Sequence, residues 1–274
     1  MEGRPQRQQG RSLQPGGAGG GMRRGLAHAL IGIALLVALW HLASLGAAAN
    51  PRTAAFAGLA PGPAFAALLA MLGGGELWRA IQPSLIRIGQ GLAWAVALGV
   101  PTGIAIGHFK TLEALTHLPF QFLRMISPLA WMPVAVMAFA TWDGAIVFLI
   151  AAAAIWPVTF ATAAGLRKLY PQWFKVARNL GAGPRHVLVT LIVPAIATDI
   201  LTGIRLALGV AWIVLVPAEF LGVTSGLGYA INDARDTLSY DKLAAMVIII
   251  GIIGFGLDAV CLGLIRRFSW RRTA

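Results

Sequence analysis

The chain has 274 residues; 58% are hydrophobic, 12% are charged, and the mean hydropathy is +0.75. A soluble domain of this length cannot hide so much apolar surface, so the composition excludes a soluble enzyme or binding module and predicts an all-α integral membrane protein. The net charge of +12 would suggest nucleic acid in a soluble chain. Here it is a topology signal, because Lys and Arg collect on cytoplasmic loops, and membrane lipid rather than nucleic acid is the expected surrounding.

Residues 1–22 hold Gln, Gly, Arg and Pro with almost nothing apolar, and read as a disordered, basic, cytosolic tail. Residues 23–274 form the transmembrane domain. Six apolar segments follow, near 26–48, 84–107, 118–141, 144–165, 193–222 and 243–265. Each approaches or exceeds the roughly 20 residues that cross a bilayer, and in lipid such segments satisfy their backbone only as helices. The first could instead be a cleaved signal peptide ending at Ala47-Ala48-Ala49. Its apolar run is long for one, and a retained helix is expected. Between the first two spans, Ala64 to Leu72 can form a short amphiphilic helix.

Fifteen of the 22 Lys and Arg residues fall on one side of this scheme and four on the other. The rich side carries Arg4, Arg7, Arg11, Arg23, Arg24, Lys110, the group from Arg167 to Arg185, and the C-terminal arginines. Both termini are therefore expected in the cytoplasm, and six spans satisfy that parity.

The second span repeats Gly91, Ala95, Gly99, Gly103 and Gly107 every four residues. Small residues at that spacing share one face and let another helix approach closely, as static packing or as a seam for sliding. The third span is broken by Pro119, Pro128 and Pro133, which free carbonyl groups and can line a pathway or simply kink the helix. Ionisable residues inside spans are functional candidates. Arg124, Arg205 and Glu219, with Trp131 beside the prolines, are the candidate substrate path; an ion pair of Arg205 with Asp258 or Asp199 is the alternative. Arg87, near a helix end, is expected to snorkel to the interface. His28 and His41 are packing or interface residues, and Cys261 is a small residue in an apolar run. The loop 223–242, with Gly226-Leu227-Gly228-Tyr229, is polar and compact, either a partner contact or a capped turn.

Between the fourth and fifth spans lies a polar island, Lys175-Val176-Ala177-Arg178-Asn179-Leu180-Gly181-Ala182-Gly183-Pro184, before Leu191-Ile192-Val193-Pro194. Trp173 to Leu180 predicts two helical turns. Gly181 to Gly183 frees the backbone, and Pro184 suits the first turn of a second short helix. Two short helices at a bend make a knob that can seat in a groove of a soluble partner.

This spacing resembles the cytoplasmic coupling loop of ABC-importer permeases: Gly181 and Pro194 fall at the family positions, with Lys175 and Val176 where the pattern has Glu and Ala. The Ser84–Arg87 stretch with Gly91 and Gly99–Gly103, then Ser127–Pro133, Gly203–Ala207, Ala211–Leu221 and Gly226–Tyr229, resembles the nitrate/sulfonate/taurine/bicarbonate-type subgroup. The resemblance covers about residues 60–270. It implies a multi-pass permease of the bacterial inner membrane, importing a small oxyanion such as nitrate, a sulfonate like taurine, or bicarbonate. It implies Val176, Ala177, Arg178, Leu180, Gly181, Ala182, Pro184 and Pro194 as the ATPase-coupling residues. It further implies cytosolic ABC ATPase subunits, a second permease copy (a homodimer being the expectation), and a periplasmic or lipid-anchored solute-binding protein. No phosphate-binding Gly-x-x-x-x-Gly-Lys-Ser/Thr loop, metal-ligand cluster or catalytic motif occurs in the sequence. The expected role is thus a transporter subunit rather than an enzyme, without catalytic residues, metal or cofactor of its own, with ATP and Mg on the partner. A permease for a different solute and a self-contained secondary transporter or channel are the rival readings.

Overall fold

A computed structural model describes residues 18–50 and 53–270. Most of the predicted tail (residues 1–17, with Arg4, Arg7 and Arg11), Arg52, Arg271 and Arg272 lie outside the described residues. The chain divides into two compact units, residues 1–61 and 62–274.

In the first unit, α1 (Ala18–Ala49) takes in the first apolar segment and the last residues of the predicted tail. A 3₁₀ turn (Ala54–Leu59) folds beside it. The indole of Trp40 donates to Leu59 O at 2.9 Å, and Thr53 Oγ1 donates to Ala47 O at 2.6 Å. These bonds satisfy carbonyls that the helix end and the turn would otherwise leave open.

The second unit is built of helices joined by short turns and extended breaks among its described residues. It comprises α2 (Pro61–Gly73, whose first residue closes the first unit), α3 (Glu76–His108), α4 (Lys110–Met125), α5 (Met132–Ala138), α6 (Trp142–Arg167), α7 (Pro171–Asn179), α8 (Pro184–His186), α9 (Val193–Gly222), α10 (Leu227–Asp236) and α11 (Tyr240–Trp270). Among the described residues five helices are long and apolar enough to cross a membrane, and a sixth span arises if the bent pair α4–α5 is counted as one. The predicted third span is therefore not one helix. It is two, meeting at 86°. Ile126 and Ser127 are extended, with ψ near 126° and 127°, because the ring of Pro128 disfavours helical geometry in the residue before it.

α6 is the centre of the unit, packed against α3 and α9. It is apolar around its whole circumference, and Ile146, Leu149, Ile150, Ala154 and Val158 are fully buried. In lipid the helices gain little hydrophobic drive from meeting, so close packing and directional bonds hold them. The small-residue ladder of α3 faces α6. A Cβ on Gly103 would stand 2.5 Å from Thr159 O and 2.7 Å from Thr162 Cβ, and one on Gly99 would stand 3.1 Å from Ile155 O. On the other flank, a Cβ on Gly203 of α9 would lie 2.7 Å from Ala161 Cβ. The glycines thus let α6 side chains and carbonyls seat directly against the α3 and α9 backbones.

Loop 223–242 is more ordered than a turn. Half of it is α10, whose Leu227 is fully buried against Met246 and Ile249 of α11. Residues 64–72 are helical as expected, within α2.

Gly103→Ala should destabilise the protein by about 1–3 kcal/mol, because the methyl meets backbone that cannot swing away. Gly89→Ala, with nothing within 4 Å of the added carbon, should leave stability unchanged. Thermal unfolding midpoints of the two variants in detergent check the difference.

Candidate coupling surface and transport path

α7 ends in a Schellman motif. Ala182 N–H donates to Ala177 O and Gly181 N–H to Arg178 O, both at 3.0 Å, and Gly181 has φ +77°. Gly181 is required by this left-handed geometry, which a Cβ would strain. The predicted second short helix is not separate. Pro184 opens a helix that runs through Gly222 without a break, 39 residues in all. Its register is carried past Pro194 by a π-helical stretch, Val187–Ile192, in which Val193 N–H reaches back to Leu188 O. Pro194 has no N–H to donate, and a π turn just before it accommodates the missing bond. The knob is therefore one short helix capped against the start of a long one.

Phe174 fixes the inner face of α7, packed with Leu166, Ile192 and Ile196. The outer face holds Trp173, Val176 and Leu180, the last 81% exposed. With Ala177, Ala182, His186 and Thr190 these flank a groove of about 680 Å³. Arg178 lies on the other side of the helix, in a cavity it shares with Phe174, Pro184 and His108. Exposed apolar residues grouped at one knob mark an interaction site.

The expected snorkelling of Arg87 is overturned: the residue is 4% exposed. Its guanidinium donates to Glu219 Oε1 at 2.6 Å, Asp143 Oδ1 at 2.7 Å, and Ser225 O and Oγ at 2.9 Å. Glu219, fully buried, also accepts from Ser84 Oγ at 2.8 Å and Gly228 N–H at 3.0 Å. Ser84 Oγ in turn accepts from Leu227 N–H at 2.9 Å. Helix-end position suggested snorkelling, but the carboxylates that hold Arg87 in place lie 56 and 132 residues away. Asp143 and Ser225 were not singled out from sequence, and Ser84 entered only through the Ser84–Arg87 motif, whose spacing puts both residues on one helix face. Gly226, at φ +112°, passes so close to Glu219 that a Cβ would stand 2.5 Å from the carboxylate.

Arg205 of α9 meets Asp258 of α11 in a bidentate pair, both bonds 2.7 Å. Asp199 pairs instead with Lys168 at 2.7 Å. Arg124 and Trp131 share a cavity of about 640 Å³ beside Phe148, Trp156, Phe160 and Leu206. The Arg124 guanidinium stands 5.3 Å from the centre of the Phe160 ring, a contact worth about 0.5–2 kcal/mol. Of the four candidate path residues, the structure brings Arg124 and Trp131 together. Arg205 is engaged elsewhere, and Glu219 has no exposed surface. Among the described residues no three metal-ligating side chains converge.

A helical membrane domain with an apolar knob projecting between two of its long helices is the architecture of a transport-system membrane component. The family described as binding-protein-dependent transport system inner membrane component matches residues 95–272, and the chain belongs to it. It is 37% identical over 186 residues to the bicarbonate transport system permease protein of Synechococcus elongatus, covering 67% of this chain and 66% of that one. It is 35% identical over 193 residues to the taurine transport system permease protein of Escherichia coli, covering 70% of each. It is 33% identical over 190 residues to the nitrate import permease protein of Leptolyngbya laminosa, covering 68% of this chain and 66% of that one. The match thus spans about two thirds of these relatives. It makes the chain a multi-pass membrane component of a transport system.

Glu219→Gln keeps an acceptor oxygen but removes the buried negative charge opposite Arg87, and should cost about 3–5 kcal/mol. Asp143→Asn, at a side chain 66% exposed, should cost at most about 1 kcal/mol. Unfolding midpoints of the two purified variants measure the contrast.

Proposed function

We propose that this chain is the permease subunit of an ATP-driven, binding-protein-dependent importer for a small oxyanion: nitrate, a sulfonate such as taurine, or bicarbonate. The observation that carries the reading is the α7 knob, with Val176 and Leu180 exposed beside a Gly181-capped bend, in a chain whose relatives are named as permeases for those solutes.

In this reading the membrane is the bacterial inner membrane, with both termini and the knob on the cytoplasmic side. Two cytosolic ABC ATPase subunits bind the knobs of two permease copies. ATP and Mg are held on those partners, and the permease itself uses no cofactor. A periplasmic or lipid-anchored binding protein delivers the solute. Val176, Ala177, Arg178, Leu180, Gly181 and Ala182 form the ATPase contact, and Pro184 and Pro194 shape the helix behind it.

The mechanical consequence follows from packing. A push on α7 reaches Leu166 of α6 and Ile192 and Ile196 through Phe174. A push on Pro184 acts on one end of the 39-residue helix, so loop motion becomes motion of a span. Gly91, Gly99, Gly103 and Gly107 give α3 and α6 a smooth seam for that movement. Arg124 and Trp131 line the path, and Arg205 is reached once Asp258 releases it. Arg205→Ala then lowers anion-stimulated ATP hydrolysis.

The test is reconstitution with the ATPase and binding-protein subunits in proteoliposomes, following labelled nitrate, taurine and bicarbonate. Uptake of one of them with added ATP is expected. Leu180→Asp, which places a charge in the apolar contact, and Gly181→Pro, which removes the N–H bonded to Arg178 O and cannot adopt φ +77°, should abolish uptake and ATPase association while membrane insertion persists. Uptake that survives both variants, or that proceeds without any ATPase, rejects the reading.

A further inference from the structure

α4 carries Glu113, Thr116, His117, Gln121 and Arg124 at helical spacing, so these polar residues share one side. His117, Gln121 and Arg124 are exposed and Glu113 and Thr116 half-buried, so that side borders an open cleft. It lines a cavity of about 520 Å³ whose opposite wall is Phe160 and Arg167 of α6, with Ile106 of α3. The outward side of α4 is apolar, with Leu115, Leu118, Phe122 and Met125 each at least 67% exposed. A helix that sets its polar stripe along a cleft, in a chain that crosses lipid, gives water or a polar ligand a place to sit.

The charges in this cavity do not cancel. Arg167 Nη2 and Glu113 Oε1 neutralise each other at 2.7 Å. Arg124 faces no carboxylate among the described residues and rests only on the Phe160 ring. The side chains of His117 and Gln121 make no hydrogen bond among the described residues. A guanidinium with five N–H donors, an amide NH₂ and an imidazole N–H therefore converge on one space with their donors unused. A planar oxyanion can accept two parallel bonds from the guanidinium. Arg124 and Phe160 also line the larger apolar cavity next door, so their stacked pair is the wall between the two spaces.

We infer that the α4–α6 cavity is a water-filled, anion-selecting vestibule. Arg124 is its charged binding residue, His117 and Gln121 are additional donors, and the Arg124–Phe160 pair is its partition from the apolar cavity. The identity of the anion as a transported small oxyanion rests on the import reading above; the wet, anion-attracting character of the cavity does not. A phosphate of an anionic lipid headgroup shares the same chemistry, and the test separates the two.

The full-length chain, with Cys261→Ala, is placed in nanodiscs of phosphatidylcholine alone. Thr116→Cys and, separately, Gln121→Cys report from the cavity wall. Each is titrated with a sulfonate-bearing and a trimethylammonium-bearing methanethiosulfonate. The anionic reagent should react at least about tenfold faster, the scale on which a focused charge concentrates counter-ions. The preference should fall to parity with Arg124→Gln and persist with Arg124→Lys, which keeps the charge. Millimolar nitrate should slow the anionic reagent in the Arg124 chain and not in Arg124→Gln. Two unreactive reporters, equal rates for the two reagents, or a preference that survives Arg124→Gln would each overturn the vestibule. If phosphatidylglycerol abolishes the preference and nitrate fails to protect in phosphatidylcholine, the site holds lipid headgroups and the transported-anion assignment is overturned. If the preference holds while reconstituted transporter takes up no oxyanion, the import reading fails and the vestibule stands.

Discussion

The close approach of α3 and α9 to α6 is the constraint on which the second unit depends. Helices in lipid gain little from burying apolar area against one another, so they are held by dispersion at short range and by a few directional bonds. Glycines at the contacts supply the short range. Ile150, Val158, Thr162 and Leu166 of α6 seat in the notches left by Gly91, Gly99, Gly103 and Gly107. Polar pins add to this fit, and they are unequal at the two ends of α6.

At the Trp142 end the pin is Arg87, buried among Asp143, Glu219 and Ser225. Separating a buried charge pair leaves an uncompensated ion in a poor solvent, which is strongly unfavourable. At the Arg167 end the pins are Arg167–Glu113 and Lys168–Asp199, whose cationic side chains are 48% and 69% exposed. Exposed pairs of this kind contribute about 0–1 kcal/mol each. The seam is thus locked at one end and loosely held at the other, and the loose end is the one that leads into α7. In the import reading proposed above, a force applied at the knob would meet the weaker fastening, with the Arg87 end as the pivot.

The sequence made the spans legible because length and apolarity alone decide them. It also made Gly181 legible, because a left-handed helix cap leaves few alternatives to glycine. What it obscured has specific physical causes. The helix opening at Pro184 looked separate from the span near 193–222; a π turn shifts the bonding by one residue and lets the helix run on through Pro194. The 86° bend was visible as a run of prolines, but its angle depends on which residue before proline leaves the helical region. Arg87 was misjudged because snorkelling is an argument about distance to water. Two carboxylates and a loop carbonyl, remote in sequence, satisfy it where it stands. Long-range polar clusters leave little periodic trace, and Asp143 and Ser225 were correspondingly silent.

The three arginines within spans differ in a way that orders their possible roles. Arg87 faces two carboxylates and the polar atoms of Ser225; no donor is left for a solute anion, and the surrounding charge repels one. Arg205 faces one carboxylate in a bidentate grip, so an anion would have to displace Asp258. Arg124 faces an aromatic ring, which stabilises a cation without occupying the N–H groups at its edge. Charge near 5 Å in a medium less polar than water is worth several kcal/mol, so one carboxylate more or less is enough to convert a structural arginine into one available to a ligand. By that criterion the fixed end of the seam and the proposed solute path are built from the same residue type, distinguished by what stands opposite it.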